Sequence, residues 1–475
     1  MTRNEFLRTL TLGTIGVFVL PKLKAAPLQQ PFTRADFGAN FKWGVATAAY
    51  QIEGASKVDG KGVSIWDTFT SEHKSRIKDG STGDVACDFY HRYKEDIALA
   101  ASMGFNTFRF SISWARILPK GIGEVNANGI AFYKDVCDCC REHGLEPWIT
   151  LYHWDLPQVL EDLGGWTNRA VIDWFSEYTD VVTKALADKA KCWMILNEPL
   201  SFTSFGYMIG IHAPGHRSLN KFLASVHHAC MCQSVGAQIV RRNILDAKIG
   251  TCLSCSPIEP KSQSARDLRA ARRLDAMMNR LFMEPSLGMG YPVADFPLLE
   301  KMKPFILEGD MEQLPFAFDF IGLQHYFRVV GKHSYFIPYL WANQESPQDR
   351  KVETTEMGWE IYPEGIYKSL KQFSKYPIKE LVVTEGGCAF HDELTADGRV
   401  HDEKRIKYFQ HYLKEVLRAK NEGINVTGYL VWTLMDNFEW AEGFRPRFGL
   451  IYLNNNTQER YIKDSGYWFQ QTLNN

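Results

Sequence analysis

The chain has 475 residues, 45% hydrophobic and 23% charged, a balance that excludes a disordered or low-complexity protein. Its 54 Lys and Arg stand against 55 Asp and Glu, a formal net charge of −1. That balance gives no electrostatic ground for nucleic acid or an anionic membrane as partner.

The first 27 residues differ from the rest. Arg3 and Arg8 precede an uncharged run from Thr9 to Leu20, and Pro21, Lys22 and the small pair Ala25-Ala26 follow. A basic start, a short apolar stretch and small residues predict a signal peptide over residues 1–27 and an exported, periplasmic protein, with a cytoplasmic location as the alternative. Residues 2–8 resemble a twin-arginine motif with Asn4 at the second arginine, which leaves the export route open. No later run reaches ~18 uninterrupted apolar residues, so no membrane span is expected in the mature chain.

From Phe37 onward two patterns alternate. Residues 41–50 predict a strand. Residues 84–103 predict a helix with Phe89, Tyr93, Ile97 and Ala100 on one face and Gly104 as its stop. Strand 105–114 and helix 128–143 follow, then strand 145–154 and a helix after Thr167 carrying Val171, Trp174, Phe175 and Tyr178. Strand 191–197 precedes helix 219–242, and strand 248–254 precedes helix 266–283. Strand 318–324 leads through an irregular stretch to helix 363–373. Strand 381–385, helix 402–420 and strand 426–433 complete the series.

Eight apolar strands alternating with helices, with no fixed repeat and no Pro/Gly/Ser-rich linker, predict one α/β domain over residues 37–475. The expected fold is a (β/α)8 TIM barrel with long βα loops. A doubly wound sheet is the alternative. Its best phosphate-binding turn, Gly288-Met-Gly290-Tyr-Pro, has Pro292 breaking the helix and no strand directly before it. Ten cysteines include Cys252-Leu-Ser-Cys255, but no second pair completes a zinc site. They read as small buried apolar residues.

Barrel chemistry sits at the C-terminal strand ends. Those ends carry Gln51, Arg109, His153-Trp154, Asn197-Glu198, Tyr326, Glu385 and Trp432. Glu198 and Glu385 close the fourth and seventh strands, which face each other across a barrel of eight. A carboxylate pair across a pocket suits glycoside hydrolysis, one group protonating the leaving oxygen and the other attacking the anomeric carbon or activating water. Each Glu also reads as a helix cap or an ion-pair partner. Metal-dependent hydrolysis would show a His-x-His pair at a strand end, and the sequence has none there. No metal and no cofactor are expected.

These residues resemble glycoside hydrolase family one, the β-glucosidase and β-glycosidase family, from about Phe41 to Tyr467. The resemblance runs through residues 41–54, Phe-Arg-Phe-Ser-Ile-Ser-Trp at 108–114, Tyr-His-Trp-Asp-Leu-Pro at 152–157 and Asn-Glu-Pro at 197–199. It continues through Met-Gly-Trp-Glu at 357–360 and Asp-Asn-Phe-Glu-Trp at 436–440. It implies a retaining β-glycosidase, with Glu198 as general acid/base and Glu385 as nucleophile. Arg109 and Tyr326 would support the nucleophile. Gln51, His153, Trp154, Asn197, Glu439 and Trp440 would bind the sugar, Trp432 and Phe448 would wall it, and Trp359 would carry the aglycone. Two departures bear on preference and rate: Gly386 replaces the usual Asn after the nucleophile, and Gln324 replaces Asn at the sixth strand end.

The expected substrate is a terminal, unphosphorylated β-D-glycoside or an oligosaccharide. The segment 437–448 lacks the Ser and Lys-x-Tyr pattern of phospho-β-glycosidases and offers only Arg445 and Arg447 as cations. A transglycosylase and a catalytically silent sugar-binding relative are the alternatives; the silent relative would be expected to lose one of the two carboxylates.

Overall fold

The apolar runs form a closed barrel of eight parallel strands in the computed structural model, which describes residues 32–474. We label the strands β1 (Lys42–Ala46), β2 (Thr107–Ser111), β3 (Glu146–Tyr152), β4 (Cys192–Asn197), β5 (Lys248–Ser254), β6 (Phe320–Gln324), β7 (Leu381–Gly386) and β8 (Val426–Trp432). Each pairs with its sequence neighbour, and β1 closes on β8 with Ala46 opposite Trp432. In β2, β4, β6 and β7 every residue is buried, as it must be when helices cover the outside and side chains fill the inside.

The outer ring is α1 (Phe89–Ser102), α2 (Ala127–Glu142), α3 (Val171–Leu186), α4 (Leu219–Asn243), α5 (Ala265–Asp275), α6 (Glu364–Phe373), α7 (Glu403–Asn421) and α8 (Asp464–Asn474). In α7, Ile406, Phe409, Leu413 and Val416 are buried at three- and four-residue spacing, one apolar stripe facing the barrel. Trp43, Trp66, Trp114, Trp148, Trp166 and Trp193 are almost fully buried. Each takes roughly 150–250 Å² out of water, about 4–6 kcal/mol before the entropy of ordering. Much of the tryptophan content therefore serves the core.

Three expectations change. The first strand stops at Ala46, because residues 49–52 wind into a helical turn whose Ala49 N–H donates to Ser111 Oγ at 2.7 Å. Helix 266–283 ends its regular part at Asp275 and continues as a wider turn through Arg280. The stretch after β6 is not irregular: Val329–His333 and Ala342–Gln344 form a hairpin, joined by Ile258–Pro260 in a small sheet.

All ten cysteines are buried and free, as small apolar residues should be. From Phe32 on, the chain is one compact unit. Among the described residues no helix is long and apolar enough to cross a membrane. The expected signal peptide, residues 1–27, lies outside the described residues.

Candidate active site

The ladders of β4 and β7 lose register at their C-terminal ends, between Met194 and Asn197 on one and between Val383 and Gly386 on the other. Such irregularities re-aim side chains, and these lie beside Glu198 and Glu385. At the β7 end the chain needs glycine. A side chain on Gly387 would meet the Trp432 carbonyl oxygen at 1.8 Å, and one on Gly386 the Tyr429 hydroxyl at 2.5 Å. The Tyr429 ring thus occupies the space that any residue larger than glycine would need.

Glu385 is held by three donors. Its Oε1 accepts from Arg109 Nη1 and from Gln324 Nε2, each at 2.6 Å, and its Oε2 accepts from the Tyr326 hydroxyl at 2.7 Å. Burial pushes its pKa up, and the Arg109 charge and the Tyr326 hydrogen bond pull it part of the way back. Arg109 itself is fully buried, steadied by Thr150 Oγ1 at 3.1 Å and by Asn197 Oδ1 at 2.6 Å.

Asn197 links the two carboxylate-bearing strands. Its Oδ1 accepts from both Arg109 and Gln324, so its amide nitrogen faces His153 Nε2 at 3.0 Å. Burial and the Arg109 charge lower the His153 pKa well below the usual imidazole range. The ring is therefore neutral, accepting at Nε2 and carrying its hydrogen at Nδ1, an atom with no protein partner. Gln324, the departure at the sixth strand end, closes a ring of four groups: Arg109, Glu385, Gln324 and Asn197.

Glu198 is placed differently. It sits at φ 41° in the left-handed region, directly before Pro199, which starts a short helix at Pro199–Thr203. That backbone costs of order 1–3 kcal/mol for a residue other than glycine. Ser201 Oγ donates to its Oε2 at 2.7 Å, and the Ser254 hydroxyl also bonds to it. Burial first and the Glu385 charge second push its pKa up to about 8.

A third carboxyl, Glu439, is pushed up to about 8 by burial and by Glu385. Its Oε2 accepts from Gln51 Nε2 at 3.2 Å. Of the three carboxyls only Glu385 has a guanidinium against it, while burial raises Glu198 and Glu439 to about 8 with no cation among their hydrogen-bond partners.

The cavity between these groups has a volume of about 410 Å³, in the range of small-molecule sites. Glu198, Glu385, Asn197, His153, Trp154, Tyr326, Trp359, Trp432, Glu439, Trp440 and Phe448 all line it. Arg109 and Gln51 stand behind that surface, fully buried, and act through Glu385 and Glu439. Trp154 offers its ring but not its N–H, which donates to the Asn197 carbonyl at 2.9 Å. His153 stacks between Trp432 and Trp440, each with its centroid 5.9 Å away. Trp359 packs on Tyr326 and Phe327 at the half-buried end.

Phe205, Ile211, Met278, Phe327 and Ser201 also line the cavity and were not singled out in the sequence. Four come from loops or helical turns whose entry into the site depends on chain direction. Ser201 was detectable, since Pro199 after a strand end starts a helix and puts residue 201 one turn from Glu198. Among the described residues no cluster of three or more His, Cys, Asp or Glu is arranged to hold a metal ion.

A buried carboxyl held by a guanidinium, sharing a cavity with a second whose pKa burial raises to about 8, can perform nucleophilic attack and proton donation on one bond. The comparisons agree with that chemistry. The sequence matches glycosyl hydrolase family 1 over residues 33–475. Beta-glucosidase A of Thermotoga maritima is 42% identical over 441 residues, 92% of this chain and 98% of the relative. A 1,4-beta-D-glucan glucohydrolase of Thermotoga neapolitana matches to the same extent, 42% over 441 residues with 92% and 98% covered. The solved family 1 β-glucosidase from Thermotoga maritima in complex with deoxynojirimycin superposes with a TM-score of 0.87 at 41% identity, covering 92% of this chain and 98% of that one. With its barrel, its paired carboxyls and a family match across nearly all of its length, the chain belongs to glycosyl hydrolase family 1.

Proposed function

We propose that this protein is a retaining β-glucosidase that hydrolyses terminal, unphosphorylated β-D-glycosides. The observation that carries the reading is the unequal environment of the two glutamates: three donors, one of them cationic, on Glu385, and only the serine hydroxyls of Ser201 and Ser254 on Glu198. Names of relatives that share about two-fifths of the sequence support glucose as the sugar.

In the first step a Glu385 oxygen forms a bond to the anomeric carbon while the glycosidic bond breaks. The Glu198 proton passes to the leaving oxygen. In the second step water gives its proton to Glu198, its oxygen bonds the anomeric carbon, and the bond to Glu385 breaks. Two inversions return the β configuration, and both glutamates regain their starting states. Arg109, Tyr326 and Gln324 keep Glu385 ionised and aimed. Asn197, the Nδ1 hydrogen of His153, and Glu439 backed by Gln51 bind the sugar hydroxyls. Trp432, Trp440, Trp154 and Phe448 cover its faces, and Trp359 receives the aglycone.

The lack of cations at the hydroxyl-binding end supports an unphosphorylated sugar. Arg447 is taken by Asp436 Oδ2 at 2.9 Å, Arg445 is exposed, and neither lines the cavity. A preference of at least ~10-fold in kcat/KM over the 6-phosphate is expected. The test is a panel of p-nitrophenyl β-glycosides including glucoside 6-phosphate, with the first-released anomer followed by NMR. Release of α-glucose first, or faster cleavage of the phosphate, overturns the reading.

Export rests on the pattern of residues 3–26 alone: two arginines, an uncharged run and a small pair. The proposal is that a leader of ~25 residues is removed on the way to the periplasm. N-terminal sequencing of native enzyme decides it, and an intact Met1 on a cytoplasmic protein would sink it.

A further inference from the structure

We propose that the tip of the hairpin after β6, residues 335–341, is a platform for the reducing-end sugars of a β-linked gluco-oligosaccharide whose terminal unit occupies the cavity. The inference rests on the β-glucosidase reading and extends it to substrate length. Tyr335 is 61% exposed, Phe336 95%, Tyr339 50% and Trp341 41%. Among the described residues only one other aromatic, Tyr467, is comparably exposed. Aromatics gathered on one turn in solvent mark a binding surface more often than chance.

The turn is built rather than loose. His333 pairs with Ala342 at the base of the hairpin. The Trp341 N–H donates to the Ile337 carbonyl at 2.9 Å, and the Ser334 N–H donates to the Trp341 carbonyl at 3.3 Å. Tyr339 and Trp341 hold φ of 69° and 48°, a region that bulky side chains avoid. The same turn seats Leu340, between them, against the small cluster at the base of the hairpin and leaves the neighbouring rings outside.

Continuity with the cavity identifies the occupant. The tip belongs to the β6–α6 connection, and both ends of that connection line the cavity: Tyr326 and Phe327 before it, Met357 and Trp359 after it. Phe327 and Leu340 pack against one small cluster with Ala342 and Val329, which joins the cavity wall to the hairpin. At about 3.3 Å per residue, the strand Val329–His333, which begins two residues after Phe327, spans about 13 Å between that wall and the tip. This is beyond the reach of a disaccharide and within that of a longer chain. Aromatic faces suit the apolar faces of β-linked glucose. Arg266, 5.9 Å from the Tyr335 ring, and Lys301, 4.6 Å from the Tyr339 ring, place donors for hydroxyls beside them.

The experiment compares the full chain with Phe336→Ser, Trp341→Ser and the double variant. The substrates are p-nitrophenyl β-glucoside and the β-1,4- and β-1,3-linked gluco-oligosaccharides from disaccharide to pentasaccharide. The chromogenic activity decides the β-glucosidase reading by itself. For the platform, the expected result is unchanged chromogenic and disaccharide kcat/KM, with the pentasaccharide value of one series falling about fivefold in the double variant, the size of one or two aromatic contacts. A pentasaccharide-to-disaccharide ratio that the variants leave unaltered overturns it. So does light scattering that finds a wild-type dimer split by the same substitutions, since the tip would then be an interface between two copies.

Discussion

At the end of β7 a glutamate is gripped on both oxygens, while across the cavity at the end of β4 another is left almost alone. Glu385 has Arg109, Gln324 and Tyr326 within 2.7 Å; Glu198 has the hydroxyls of Ser201 and Ser254 and no cation among its hydrogen-bond partners. Both side chains are buried, so both pay for losing water. The difference lies in what replaces the water. Donors and a positive charge work against burial at Glu385 and favour its ionised form, while burial and the Glu385 charge push Glu198 up to about 8. On the roles proposed above, the same residue type serves as nucleophile or acid according to its neighbours.

Removing each glutamate tests that contrast most severely. Glu385→Ala is expected to lower kcat by at least ~10⁴-fold on every substrate, because no covalent intermediate can form. Glu198→Ala is expected to lose about 10²–10⁴-fold on glucosides with poor leaving groups and far less on activated ones. Azide should revive only the Glu198 variant by the retaining route, giving a β-glucosyl azide. The same azide anomer from both variants would reverse or refute the assignment.

A smaller change can shift the balance without removing either group. Tyr326→Phe takes one donor from Glu385 and keeps the ring. A hydrogen bond to a charged group is worth about 1.5–3 kcal/mol, so kcat/KM should fall about 10- to 100-fold. Because that bond favours the ionised form, the acid limb of the kcat/KM profile should move to higher pH. An acid limb that stays where it is would mean that Tyr326 does not hold the charge.

Ser201→Ala should act on the opposite limb and most weakly. The serine hydroxyl favours ionised Glu198, so its loss raises the Glu198 pKa further and moves the alkaline limb, set near 8 in the free enzyme, upward by less than about one unit. A downward shift would contradict the hydrogen bond. Rates at the optimum should change less than about threefold, as for one neutral-donor contact.

The parts of the site legible in the sequence were those fixed by strand geometry. An apolar run ending in Asn197-Glu198 or Thr384-Glu385 has one place to put those side chains, the C-terminal mouth of the barrel. Arg109, inside a strand, was legible for the same reason. Residues behind the surface were less so: Gln51 reads as a sugar ligand from its motif, yet the fold sets it behind Glu439. The aromatic turn at 335–341 escaped because its two short strands, separated by a loop containing Pro338, carry no clean alternation. Gly386 reads in the sequence as a departure that bears on preference and rate. It is the accommodation of a neighbouring ring, a fact that depends on Tyr429 in the next strand and has no local sign.

The ring of Arg109, Glu385, Gln324 and Asn197 has a mechanical side as well. Its members come from β2, β7, β6 and β4, so four staves of the barrel are lashed together at their rim by side chains instead of by backbone. Such a lashing resists splaying of the mouth before any sugar arrives. Glu385 is thereby held in one orientation by the protein itself, the kind of preorganisation that lowers the cost of reaching a transition state.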